Sequence, residues 1–177
     1  MPVIPYKPED IQEPRELVDA IRARRSGSLL NLDRMLIHSP PFAAGWNSFL
    51  GTVRNDLKIP AKLRELAICT VAVINGAEYE FIQHSPDFLK AGGTATQLDA
   101  LEQIDPPDLN SLVFSSTEQA VIQLSVEMTR SVRIKAATMA TIKDILKNEQ
   151  HLVELVGVIA TYNMVSRYLV ALGIEPE

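Results

Sequence analysis

The chain has 177 residues, enough for one domain with one sizeable core. Hydrophobic residues make up 46% and charged residues 22%, as in a globular protein, and with 6% aromatics the core must be largely aliphatic. A net charge of −5 supplies no basic surface for a phosphate backbone, so nucleic acid is excluded as an expected partner.

Residues 1–14 carry four prolines, Pro2, Pro5, Pro8 and Pro14, and predict an extended arm that can reach a neighbour. The remainder, 15–177, reads as one helical domain. Leu17 and Ile21 followed by Arg22, Arg24 and Arg25 predict a first helix with cations at its C-terminal end, broken at Gly27. Leu29, Leu30, Met35 and Leu36 predict a second that ends before Pro40. Pro40 and Pro41 open a third, in which Phe42, Trp46, Phe49, Leu50 and Val53 recur at helical spacing. Pro60 opens a fourth, which stops near Asn75-Gly76.

A fifth helix is expected over 77–90, ending at Gly92-Gly93, with Pro86 kinking it just after His84. Thr94 is placed to cap a short helix through Leu98 and Leu101, and residues 104–110 read as a linker. Ser116 with Gln119 reads as a capping box for the helix carrying Ala120, Val121, Leu124 and Met128. Two more helices follow, over 137–146 and 149–172, the last closed by Gly173. No run alternates as a strand does, so the expected fold is all-α.

Cys69 is the single cysteine, which fits a reducing compartment, and residues 1–14 show no basic-then-apolar signal pattern. The longest apolar stretches, 66–74 and 152–159, fall far short of the roughly 20 residues that cross a bilayer. The expectation is a cytoplasmic protein with no membrane partner.

Phosphate loops, dinucleotide glycine patterns and nucleophile elbows are absent from the sequence. One stretch stands out, Ala77-Glu78-Tyr79-Glu80-Phe81-Ile82-Gln83-His84. Glu80 and His84 are four apart and share a helix face. A carboxylate beside an imidazole favours the protonated ring, which suits proton transfer near neutrality. Such a pair more often lies solvated on a surface, and Glu78 and Glu80 also suit a helix's first turn as plain acids. Glu65 stands before the apolar run from Leu66 and one turn before Cys69; pairing with Lys62 or Arg64 at the surface is its simpler reading. Cys69 in an aliphatic run reads as a core residue more readily than as a nucleophile. Glu80 and His84 put only two metal ligands in view, so no metal or other cofactor is expected. Tyr162 and Asn163 interrupt the apolar last helix and either line a pocket or bond to a neighbouring helix.

Arg64-Glu65-Leu66, Asn75-Gly76-Ala77-Glu78-Tyr79-Glu80, His84 and Ala91-Gly92 together resemble the core of the carboxymuconolactone decarboxylase family and its alkylhydroperoxidase-like (AhpD-like) branch. The Tyr162–Leu169 stretch, YNMVSRYL, followed by Ala171-Leu172-Gly173, is similar to the end of the longer members, and the Trp46 helix also resembles them. The resemblance covers roughly residues 30–175. It implies an all-α helical bundle and assembly as a homo-oligomer: a dimer, trimer or hexamer.

The redox branch of that family uses a glutamate, two cysteines three apart and a histidine four beyond the second. Glu65 and His84 match the glutamate and the histidine, while the cysteine positions fall on Ala77 and Glu80. Thiol–disulfide chemistry needs an attacking and a resolving thiol, and neither residue supplies one. The decarboxylase branch implies a different reaction on a small-molecule substrate, a small organic acid or lactone. On that reading His84 is the general acid/base, Glu80 tunes it, and Glu65 orients the ring from the preceding helix. Tyr79, Cys69 and Tyr162 are candidate substrate contacts. Two alternatives remain, a peroxidase-related antioxidant protein and a non-catalytic small-molecule-binding oligomer.

Overall fold

A computed structural model describes residues 1–103 and 113–177. The linker expected at 104–110 lies outside the described residues. Every regular element among those described is a helix. Backbone packing divides the chain into two compact units, Met1–Leu57 with Ala171–Glu177, and Lys58–Val170.

The first unit contains α1 (Arg15–Arg24), α2 (Asn31–Leu36) and α3 (Pro40–Asn55), with α3 packed on both others. Val18, Ile21 and Ile37 form a small core that Ile11, Leu17 and Leu29 partly cover. Asp33 is buried, and its charge is met by Arg25 Nε at 3.0 Å, Arg24 at 3.4 Å and the Leu30 N–H at 3.1 Å. The proline-rich arm lies along its own chain. Val3 N–H donates to the Leu172 carbonyl at 2.9 Å, Glu175 N–H to the Tyr6 hydroxyl at 3.0 Å, and the Met1 ammonium pairs with Glu175 at 2.8 Å.

The second unit is built around α4 (Ala61–Ile74), on which α5 (Glu78–Lys90), α6 (Ala95–Glu102) and α7 (Ser116–Arg130) pack. Every α4 residue from 65 to 72 is buried, so this helix is covered on all sides and needs no polar face. Its start is fixed by Glu154, whose carboxylate accepts the N–H groups of Lys58 and Ile59, both at 2.7 Å. α8 (Ala136–Leu146) packs on α7, and α9 (Glu149–Leu172) follows, its residues up to Val170 belonging to this unit.

The turn from α4 to α5 places the site. Gly76 takes φ +61°, a left-handed conformation that glycine adopts without steric cost. Its N–H bonds to Val73 O at 3.1 Å and that of Ala77 to Ala72 O at 2.9 Å, the Schellman pattern. The same closure ends α5, where Gly93 N–H reaches Phe88 O at 2.9 Å. Pro86 lies inside α5, which continues through it to Lys90.

α7 corrects one sequence expectation. Its capping box is Ser115 with Glu118, not Ser116 with Gln119. The Glu118 carboxylate accepts the Ser115 N–H at 2.8 Å, a bond that holds more strongly than a neutral amide's, and the Gln119 amide turns to the Phe114 carbonyl. Glu118 also pairs with Lys62 at 2.6 Å and accepts from Gln97 at 3.2 Å, tying α4, α6 and α7 together. α9, with 24 residues and a mean hydropathy of 1.4, is long and apolar enough to cross a membrane, although its apolar run in sequence is short. Half of its most apolar 18 residues are buried within the protein and Thr161, Tyr162, Asn163 and Ser166 lie on the buried side, so it packs as a core helix.

Candidate functional site

His84, Glu65 and Glu80 meet between α4 and α5. The His84 ring is 1% exposed, Glu65 3% and Glu80 2%. Glu65 Oε2 lies 2.7 Å from Nδ1 of the ring, and Glu80 Oε2, one turn before His84, lies 3.2 Å from Nε2. One imidazole is thus flanked at both nitrogens by carboxylates. The surface reading of the Glu80–His84 pair is overturned by this burial: α5 turns that face inward onto α4.

Tyr162 sets the ring plane. Its own ring stands at 86° to the imidazole with centroids 4.9 Å apart, an edge-to-face contact. Arg64 Nε donates to Glu65 Oε1 at 2.9 Å, so the pairing with Arg64 exists but is not a surface one. Burial by itself would raise the Glu65 carboxyl. The hydrogen bonds and charges of His84 and Arg64 outweigh it and hold Glu65 below the ordinary carboxylate range. Glu65 is therefore a fixed anion. The second carboxylate is held less completely, because Glu80 Oε2 has no hydrogen-bond partner of acceptable geometry among the described residues.

Cys69 is fully buried one turn beyond Glu65. Burial, with the charge of Glu65 next, pushes its thiol far up, against an opposing hydrogen bond with Ser85. A thiol so held is not a nucleophile. Tyr79 is buried on the first turn of α5, and Ala77 and Glu80, which stand in the cysteine positions of the redox relatives, are buried as well. Asn163 bonds to neighbouring helices: its amide donates to Thr129 Oγ1 at 3.0 Å and its carbonyl accepts from Asn75 at 3.2 Å and Arg167 at 2.8 Å.

Sequence reasoning missed Asp87. It is three residues beyond His84 on the same helix, and its carboxylate, with a ligand atom from each of Glu65 and His84, forms a group within 4.8 Å. The signal was present in the spacing His84-x-x-Asp87. Asp87 is exposed, so the buried pair lies one side chain beneath the surface. A cavity of about 330 Å³ opens elsewhere on the unit, lined by Ala72, Val73, Gly76, Ala77, Glu78, Phe81 and Glu102.

Residues 40–112 match the carboxymuconolactone decarboxylase family. No curated protein matches the chain. An uncharacterized peroxidase-related protein from Silicibacter sp. TM1040 shares the fold at a TM-score of 0.76 and 16% identity, over 99% of this chain and 90% of its own. A debrominase, solved as a cysteine-to-alanine variant in complex with 2,3,4-tribromopyrrole, superposes with a TM-score of 0.75 at 15% identity, over 100% of this chain and 94% of its own. By sequence the segment 40–112 is similar to the carboxymuconolactone decarboxylase family, and by structure the chain carries an all-α, AhpD-like fold.

Proposed function

We propose that the chain is a non-redox enzyme of this superfamily that moves a proton at His84 during decarboxylation of a small organic acid or lactone. The observation that carries the reading is the buried imidazole held between Glu65 and Glu80 at 2.7 and 3.2 Å. Glu65, anionic and fixed by Arg64, orients the ring through Nδ1. Nε2 is the atom that exchanges its proton, with Glu80 beside it to receive or return one. In the reaction the bond from the substrate carbon to its carboxylate breaks and carbon dioxide leaves. The electron pair stays on that carbon as an enolate, and the Nε2 proton is delivered there. Glu80 or solvent then reprotonates the ring.

The residues support a thiol peroxidase poorly. Cys69 is the single cysteine, and it is buried and held as a neutral thiol. Assembly with further copies accompanies the proposal. Val153, Gly157, Ala160 and Met164 form an exposed apolar stripe along α9 that supports it. Light scattering at the mass of a lone chain would count against assembly.

The test is carbon dioxide release from a panel of carboxylated lactones and small keto acids. Wild-type protein is expected to turn over at least one of them and His84→Ala none, with unchanged helical circular dichroism. Equal turnover in the two proteins would sink the proposal.

A further inference from the structure

We propose that Glu65, His84 and Asp87 form a binding site for a zinc-class divalent cation, with Glu80 as the carboxylate behind the histidine. Three observations converge on it. First, one ligand atom from each residue falls within a 4.8 Å group, from two packed helices. Carboxylate and imidazole donors suit zinc, and three protein ligands leave a position open for water or another ligand. Second, a buried carboxylate stands behind the ring. Nδ1 faces Glu65, while Nε2 lies 3.2 Å from Glu80 Oε2, an oxygen that has no hydrogen-bond partner among the described residues and sits in a residue 2% exposed. A ligating histidine characteristically donates its other N–H to such a carboxylate. Third, the site borders on solvent, because Asp87 is exposed while Glu65 and His84 are not.

Geometry sets what must move. Bonds of about 2.1 Å in a tetrahedral site put ligand atoms about 3.4 Å apart. Glu65 and His84, now 2.7 Å apart, must open by about 0.7 Å, and the Asp87 carboxylate must swing inward. Asp87 is free to do so, since its pairing with Lys90 at 3.2 Å is solvent-exposed and weak. Charge permits it. Glu65, Glu80 and Asp87 face Arg64 and Lys90, which leaves the neighbourhood negative before a cation enters. Arg64 occupies Glu65 Oε1, so the metal would take Oε2 in place of its present bond to Nδ1.

The inference stands apart from the proton-transfer reading, because binding needs no substrate and no turnover. Zinc chloride is titrated into the full chain by calorimetry, with competition against a chromophoric chelator. Wild-type protein is expected to take up one zinc ion per chain. Asp87→Asn, a change at an exposed side chain that leaves the core untouched, should weaken binding at least tenfold. Glu80→Gln should weaken it by about tenfold to a hundredfold, as loss of the carboxylate behind a ligating histidine does. The proposal is overturned if no saturable one-to-one binding occurs, or if Asp87→Asn binds zinc as tightly as wild type. Either result leaves the His84→Ala test of decarboxylation standing on its own.

Discussion

Two buried carboxylate sites in the second unit look alike by burial and differ in what surrounds them. Glu127, on α7, has both oxygens occupied: it accepts from the Gln123 amide at 2.8 Å, the Lys135 N–H at 2.9 Å and the Thr138 hydroxyl at 2.8 Å, and pairs loosely with the Lys135 ammonium at 3.7 Å. Its donors, apart from the distant ammonium, are amides and a hydroxyl with no proton to give up near neutral pH. Their arrangement pins the turn between α7 and α8. At the α4–α5 site both carboxylates share one imidazole, the side chain best suited to gain and lose a proton; Arg64 holds the other oxygen of Glu65, and Oε2 of Glu80 has no hydrogen-bond partner among the described residues. A buried carboxylate surrounded by fixed donors is structural, whereas one left facing a titratable ring is equipped for chemistry.

Substitutions separate the two sites. His84→Ala should lower kcat by about a hundredfold to ten-thousandfold in protein that keeps its helical circular dichroism, and should also lower the melting temperature because it strands the buried Glu65 and Glu80 carboxylates. Glu80→Gln keeps the shape but removes the proton acceptor, so a smaller loss, about tenfold to a hundredfold, is expected in the same assay. Glu127→Ala should cost stability without costing turnover. It strands the Lys135 N–H and the donors of Gln123 and Thr138, costing about 1–3 kcal/mol in a denaturant melt, with kcat unchanged. If Glu127→Ala abolished turnover in a folded protein, the contrast between the sites would fail.

Acid should weaken both regions together. In Glu65, Glu118 and Glu127 burial pushes the carboxyl up but hydrogen bonds and nearby charges outweigh it, and each is held below its ordinary value. A carboxyl depressed in the folded state stabilises the protein above its unfolded pKa and loses that contribution as pH falls through the folded value. Thermal stability should therefore be flat on this account above about pH 5 and drop below about pH 4.5. A melt whose midpoint did not fall between pH 5 and pH 3 would contradict the pairing described.

Much of the fold was legible because prolines and glycines mark the helix ends. Pro40 and Pro60 stand at starts, and Gly76, Gly92 and Gly173 just past ends, each of the three at positive φ. The start of α7 was misplaced by one residue because two serines stand side by side and both have an acceptor three positions on. The Glu80–His84 pair was legible from its spacing, but its burial was not. Helical periodicity gives faces, and only packing on α4 tells which face is covered. That Glu65 meets the ring depends on the Gly76 turn bringing two helices together, a contact 19 residues apart in sequence. The inward positions of Tyr79 and Tyr162 were hidden for the same reason. Asp87 was visible in the spacing and overlooked because the sequence around it reads as the polar end of a helix.

The central claim is that His84 and not Cys69 carries the chemistry. The most direct measurement assays wild type, His84→Ala and Cys69→Ala side by side for carbon dioxide release in deuterated water and for thiol-dependent peroxide reduction. The account predicts that wild type and Cys69→Ala release carbon dioxide within about twofold of each other and place one solvent deuteron on the product carbon, as delivery of a proton from a general acid requires. His84→Ala should do neither. Peroxide reduction that is lost in Cys69→Ala, or full decarboxylation by His84→Ala, would contradict it.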